Sequence, residues 1–314
     1  MPPRDREPPP PATTVHTGGA ALRARLARPD RPLRLLQAHD GLSARVAATA
    51  VGGPEGAPRR FDGLWIGSLA DSATRAQPDE EMIDLGSRLD SLAWTLEATD
   101  LPAVFDADTG GWPQQAAVLV RRLARLGVAG VVFEDKAGRK RNSLETHRHE
   151  QTGASTESFC AKLRAAVAAR PATNPAMNPA TGPMIVARIE SLIRGDSADD
   201  ALTRAHAYVE AGADALLIHG AGPDAEPVLG VVRACRAQSI TVPIFVVPTA
   251  YPTTHEQQLA DAGVDVVVYA NQLLRAALAT MQATARTLLH EGRAAAVDPS
   301  CVPVAELLRF IDPR

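Results

Sequence analysis

Asp106, Asp108 and Glu134 are the residues of this chain from which chemistry is most readily built. Two short apolar runs end in them, the first as Phe105-Asp106-Ala107-Asp108-Thr109 and the second as Phe133-Glu134-Asp135-Lys136. Each run reads as a buried strand, so the acids stand where strand gives way to loop. Residues two apart on a strand share a face, which points Asp106 and Asp108 the same way. Carboxylates this close raise each other's pKa unless a cation neutralises them. An all-oxygen site suits a hard ion such as Mg²⁺, which keeps several of its waters. The competing reading is a pair of helix caps or a solvated loop, and Glu134 at the next strand end counts against it.

Just beyond the acids come Lys136, Arg139, Lys140 and Arg141, then Asn142 and Ser143. Alone, this is a solvated charge run. Beside a metal site it reads as a mobile cationic lid over an anionic substrate, with Asn142 and Ser143 as neutral donors to phosphoryl oxygens. The lid spans residues 137–155, a length usual in functional lids or disordered segments. Arg188, in Val186-Ala187-Arg188-Ile189-Glu190, ends a later run. A buried Arg needs an anion, either Glu190 or a ligand carboxylate or phosphate gripped by its fork. In Trp65-Ile66-Gly67-Ser68-Leu69 the small residues either let backbone N–H groups approach an anion or simply pack closely. His219 closes another run and is either a hydrogen-bonded core residue or an acid–base group.

The elements that must position these residues recur as a rhythm. Apolar runs at Leu33–Asp40, Phe61–Ser68, Ala103–Thr109, Gly130–Lys136, Met184–Ser191, Ala213–Gly220, Val242–Thr249 and Val264–Ala270 alternate with amphipathic stretches such as Gln114–Leu126 and Asp199–Ala211. Runs without polar alternation are strands buried on both faces, as in parallel sheets. Eight such units predict an α/β fold, a (β/α)8 barrel of the TIM type, with a doubly wound sheet as the alternative. In a barrel the functional residues sit on the loops after the strands, where all those named above fall. A long helix is expected over Gln272–Glu291 and a short one over Val304–Phe310. Residues 171–183, rich in Pro and Asn, are expected to bridge on the face away from the chemistry.

The 314 residues carry a net charge of −3 and are 45% hydrophobic. That balance supports no nucleic-acid or membrane-surface partner, since neither sign of charge dominates. Cys160, Cys235 and Cys301 lack metal-ligand spacing. Residues 1–20 are Pro-rich and polar, without the apolar core of a secretory signal. They read as a disordered leader to a single cytoplasmic catalytic domain over 21–314.

Taken together, these residues resemble the phosphoenolpyruvate mutase/isocitrate lyase superfamily, and within it the mutase branch. The similarity runs from about Leu22 to Phe310. It rests on Ala38-His39-Asp40-Gly41-Leu42-Ser43-Ala44-Arg45, Asp106-Ala107-Asp108-Thr109-Gly110, Glu134-Asp135-Lys136, Lys140 with Asn142-Ser143-Leu144, Ala187-Arg188-Ile189-Glu190, Ala211-Gly212-Ala213-Asp214-Ala215 and Val247-Pro248-Thr249. The superfamily's carbon–carbon lyases carry Lys-Arg-Cys-Gly-His in the lid, where this chain has Lys140-Arg141-Asn142-Ser143. The mutases read Trp-Gly-Ser-Gly-Leu in place of Trp65-Ile66-Gly67-Ser68-Leu69, and Thr in place of Arg141.

The resemblance implies Mg²⁺ bound directly by Asp106, with Asp108 and Glu134 acting through waters. It implies that Arg188 and the Gly67-Ser68-Leu69 backbone hold the substrate anion, that Asp79 lies near the metal site, and that Asn142 steadies a migrating phosphoryl group. Trp65, Lys140, Ser143 and His219 complete the expected site. The implied activity interconverts phosphoenolpyruvate and phosphonopyruvate, in phosphonate biosynthesis. A phosphonopyruvate hydrolase, a mutase for a related oxyanion ester, an oxaloacetate hydrolase or carbon–carbon lyase, and a barrel that has lost catalysis stay open beside it. The implied assembly is a homodimer or homotetramer whose last barrel helix swaps between subunits.

Overall fold

The computed structural model describes residues 18–29, 32–145, 147–170 and 182–312. The chain runs α1 (Gly18–Leu26), β1 (Leu33–Gln37), α2 (Gly41–Thr49), β2 (Gly63–Ile66), α3 (Ser68–Thr74), α4 (Leu85–Glu97), β3 (Ala103–Asp106), α5 (Pro113–Arg125), β4 (Gly130–Glu134) and α6 (Thr156–Ala168). It continues β5 (Met184–Ile189), α7 (Ser191–Arg194), α8 (Ala198–Glu210), β6 (Ala215–Ile218), α9 (Glu226–Ala237), β7 (Ile244–Val246), α10 (Glu256–Asp261), β8 (Val266–Tyr269), α11 (Gln272–Glu291) and α12 (Val304–Ile311). Each strand lies within its expected run. All eight pair in parallel, in sequence order, and β8 closes on β1. The fold is the (β/α)8 barrel, not the doubly wound sheet.

Closure sorts the strand residues with period two. Leu33, Leu35, Val104, Val132, Val186, Leu217, Phe245, Val266 and Val268 fill the barrel, and α1 plugs its lower end with Leu22 and Leu26. The alternate set, including Leu64, Phe105, Phe133, Ile185 and Val267, packs outward against the helices. Two residues beyond the inner apolar layer, the same register brings up Gln37, Gly67, Asp106, Glu134, Arg188, His219, Val247 and Ala270. These eight positions, one from each strand, form the rim on which the site is built.

Two expectations change. Helix α1 starts at Gly18, inside the stretch read as a leader; residues 1–17, like the Pro/Asn-rich stretch at 171–181, lie outside the described residues. Strand β3 ends at Asp106, so Asp108 is not on the strand. It takes a left-handed turn at φ 54°, followed by Gly110 and Gly111, both at φ 66°. Gly110 is required there, because a Cβ would lie 2.3 Å from the Phe133 ring. Helix α11 has the expected bounds, and none of its 20 residues is buried. Beside β8 and β1 a groove of about 650 Å³ opens, lined by Arg34, Val267, Tyr269 and Glu256. No helix among the described residues is long and apolar enough to cross a membrane.

Candidate active site

A cavity of about 60 Å³ lies at the C-terminal mouth of the barrel, lined by Trp65, Gly67, Ser68, Leu69, Asp79, Asp106, Lys140, Asn142, Ser143, Arg188 and His219, together with Leu144, Val247, Ala270 and Asn271. It has room for a few waters or a small anion. Every expected substrate-binding and catalytic residue is on its wall. The other two expected metal residues, Asp108 and Glu134, stand immediately behind it.

The acidic corner is built by the ends of β3 and β4. Asp106 accepts from Arg188 Nη1 at 3.1 Å and from the Asp108 amide at 3.1 Å. Although it has left the strand, Asp108 still reaches the corner, because the left-handed turn folds it back beside Asp106. Its Oδ2 accepts from Arg88 Nη1 at 3.1 Å, and Lys140 Nζ stands 2.5 Å from Oδ1. Glu134 pairs through Oε2 with Lys136 Nζ at 3.1 Å, whereas its Oε1 is buried with no hydrogen-bond partner. Burial raises the Asp106 pKa. Burial also pushes Asp108 up, but Lys140 and Arg88 outweigh it and hold the carboxyl below its usual range. Glu134 is raised by burial to about 7, against the pull of Lys136 and Arg188.

Among the described residues no three His, Cys, Asp or Glu side chains close around a common point. The corner is therefore not a cage that would strip an ion of its water. It offers hard carboxylate oxygens, of which Glu134 Oε1 has nothing to accept from. That donor set fits Mg²⁺ held by one or two carboxylates, with waters and substrate completing the shell.

Adjoining the corner, across Lys136 and Arg188, lies a second anionic centre, Glu190, legible in the sequence only as a partner for Arg188. Glu190 Oε1 accepts from Arg188 Nε at 2.5 Å, and its Oε2 accepts from Ser143 Oγ at 2.7 Å. Burial works against the Glu190 anion, but Arg188, Lys136 and His219 hold its pKa well below the usual value. His219 Nδ1 lies 2.7 Å from Glu190 Oε1 and 2.8 Å from Arg188 Nη2. Burial and then Arg188 lower the His219 pKa. Nδ1 thus sits between a group that only accepts, Glu190, and one that only donates, Arg188, and which of the two it bonds follows the ring tautomer. Asp135, next to Glu134, faces the other way and ties together Arg194, Arg204 and Tyr208 behind β5.

The lid closes the cavity from above, and its charge run divides. Lys136 and Lys140 turn inward; Arg139 pairs with Glu80, and Arg141 turns out to Glu150 at 3.0 Å. Arg141 therefore adds no charge to the cavity. Asp79 grips the lid with both oxygens, accepting from Lys140 Nζ at 2.6 Å and Asn142 Nδ2 at 2.6 Å. Lys140 also donates to Ser68 Oγ at 2.9 Å, so the lid is tied to the end of β2. Gly67 is needed at that end, since a Cβ there would lie 2.7 Å from Trp65 Nε1.

Sequence reasoning missed Arg88, Glu81 and Asn271. Arg88, buried, bonds Asp71 Oδ2 at 2.9 Å, Asp108 Oδ2 and the Asp106 carbonyl, and lies 4.4 Å above the Phe105 ring. Glu81 accepts from the Thr109 amide and hydroxyl at 2.8 and 2.7 Å. Arg88 lies in α4 and Glu81 in the loop before it, so no strand-end pattern marks either.

Residues 22–289 match the model of the phosphoenolpyruvate phosphomutase family. The chain is 30% identical over 277 residues to phosphoenolpyruvate phosphomutase of Tetrahymena pyriformis, covering 88% of this chain and 85% of that one. The crystal structure of phosphoenolpyruvate phosphomutase from Streptomyces platensis subsp. rosaceus superposes with a TM-score of 0.83 at 36% identity, over 93% and 94% of the two chains. A phosphonopyruvate hydrolase in complex with oxalate and Mg²⁺ superposes with a TM-score of 0.79 at 29% identity, over 93% and 94%.

Proposed function

The chain belongs to the phosphoenolpyruvate phosphomutase family, and from that premise we propose that it is a phosphoenolpyruvate/phosphonopyruvate mutase, an isomerase that moves a phosphoryl group between the enol oxygen and carbon 3 of one small substrate. The observation that carries this reading is the inward face of the lid, where Lys140, Asn142 and Ser143 close over the cavity. The polar groups that meet a ligand there are an ammonium, an amide and a hydroxyl, with Leu144 beside them. None of the three cysteines is in the lid, which disfavours the lyase reading.

Arg188 orients the pyruvyl end, aided by the Gly67-Ser68-Leu69 backbone. Three of its five N–H groups are bonded to Glu190, Asp106 and Ser143, and Nη1 keeps a second hydrogen for a ligand. Mg²⁺, held by Asp106 with Asp108 and Glu134 acting through water, would supply positive charge to the enolate and carboxylate oxygens. Asn142, with Lys140, holds the phosphoryl oxygens as the group loosens from oxygen and recombines at carbon. Such a transfer depends on positioning and electrostatics rather than on covalent help. The closed lid excludes the water that would otherwise capture the group. Assembly as a dimer or tetramer through α11 and α12, and cytoplasmic residence, belong to the same proposal.

Similarity to the solved phosphonopyruvate hydrolase favours a second reading, in which water is admitted and takes the phosphoryl group. ³¹P NMR of the protein with Mg²⁺ and phosphonopyruvate separates the two. A phosphate ester as product supports the mutase, and free phosphate the hydrolase; unchanged phosphonopyruvate sinks both.

A further inference from the structure

We propose that Asn271, at the end of β8, is a substrate-contacting residue whose carboxamide donates to the carboxylate end of the bound anion. The inference rests on the mutase reading only for the identity of that anion.

Asn271 occupies the N-cap position of α11. Asn is among the residues favoured there because its side-chain oxygen accepts from the exposed amides of the first turn. Here the side chain makes no capping bond. The duty passes instead to Gln37 of β1, whose Oε1 accepts from the Leu274 amide at 3.2 Å. Gln37 is itself buried and held through Nε2 by His39 Nδ1 at 2.6 Å. The fold thus caps α11 from a neighbouring strand and leaves Asn271 free.

That freedom is directed. Asn271 is 3% exposed, lines the cavity, and has a buried Oδ1 with no hydrogen-bond partner. An unused buried polar group is costly and persists where a ligand or water uses it. Rotation about the terminal torsion presents either end of the carboxamide to the cavity. Facing an anion, the NH₂ end is the one that bonds. The place is suitable: the carbonyl of Ala270 lies 3.9 Å from where a Cβ on Gly67 would be, which sets the β8 end beside the Trp65–Leu69 segment. Arg188 reaches the cavity from three strands further round the barrel. Asn271 therefore adds an uncharged donor at the end remote from Glu190. A neutral group there binds a carboxylate without deepening the positive charge already supplied by Arg188 and Lys140.

The test uses the full-length protein with Mg²⁺, and oxalate as the probe. Calorimetry gives the oxalate Kd, and thermal melts give Tm, for wild type, Asn271→Ala and Asn271→Asp. Asp remains a good N-cap, so a merely structural role predicts an unchanged or higher Tm and unchanged binding. The proposal expects Asn271→Ala to weaken oxalate about tenfold, the loss of one hydrogen bond to a charged group. It expects Asn271→Asp to weaken oxalate more than Ala does, at near wild-type Tm, because a carboxylate repels the anion. Binding within twofold of wild type in both variants overturns it, as does a loss of affinity that follows Tm. If wild type turns over phosphonopyruvate while the variants bind oxalate normally, only this inference fails. If wild type binds oxalate in an Asn271-dependent manner but leaves phosphonopyruvate unchanged, only the functional reading fails. A wild-type protein that does not bind oxalate overturns this inference.

Discussion

Removing the Asp79 carboxylate should unlatch the lid. Asp79 holds Lys140 Nζ and Asn142 Nδ2 at 2.6 Å each, and the Lys140 and Asp79 side chains are 3% and 6% exposed. Each hydrogen bond to a charged group contributes about 1.5–3 kcal/mol, so the two set a ceiling of roughly 3–6 kcal/mol on closure. The net effect is smaller. On opening, the carboxylate regains water, and Lys140 retains Asp108 at 2.5 Å and Ser68 at 2.9 Å even without Asp79. About 2 kcal/mol remains, close to a thirtyfold shift of the open–closed equilibrium in Asp79→Ala. Limited trypsinolysis reads it directly. Lys140 is buried when the lid is closed, so cleavage there follows the open population when reclosing is fast. We expect cleavage after Lys140 to be about thirtyfold faster in Asp79→Ala, by the same equilibrium shift, with turnover reduced. Mg²⁺ with oxalate should protect the wild type more than the variant. Equal cleavage rates in the two proteins, with normal turnover in the variant, would refute the latch.

Four further outcomes follow from the same geometry. Arg188→Lys should lose nearly as much kcat/KM as Arg188→Ala, about a hundredfold or more, because one ammonium cannot meet Glu190, Asp106 and Ser143 together; near wild-type kinetics in the Lys variant would make Arg188 a structural partner of Glu190. Asp106→Ala should abolish turnover while the protein still melts cooperatively, and full activity of the wild type in excess chelator would remove the metal from the mechanism. Mg²⁺ affinity should fall as pH drops below about 7, where Glu134 takes up a proton, and level off above it, with a slope of up to about tenfold per unit; a flat calorimetric profile between pH 5.5 and 8, roughly the range spanning that titration, would exclude Glu134. Leu278, Met281 and Leu289 are exposed on α11, so Lys at the first two should shift sedimentation from dimer or tetramer toward monomer, whereas a monomeric wild type would contradict assembly through this helix.

The eight apolar runs and their acidic, basic or small terminal residues are legible along the chain, because a strand buried on both faces shows as a local run of apolar residues. From them the barrel, the rim and the pairing of Asp106 with Glu134 follow without knowledge of any contact. Direction within the loops did not follow. Lys136 and Lys140 enter the site while Arg139 and Arg141 leave it, although all four belong to one charge run. Whether a lid residue points inward depends on where Asp79 and Glu80 arrive from the loop between α3 and α4, and on how the lid folds back to bring Glu150 to Arg141. The same holds for Asp108, whose approach to Asp106 is made by a left-handed turn rather than by strand alternation. It holds most clearly for Asn271, which in sequence is a good helix cap. Only closure of β1 against β8 brings Gln37 to the first turn of α11 and frees the carboxamide for the cavity. Side-chain type and spacing are written residue by residue, but the partner that satisfies a buried polar group is chosen by the whole barrel, since desolvation makes each unpaired group costly and leaves few arrangements that satisfy them all.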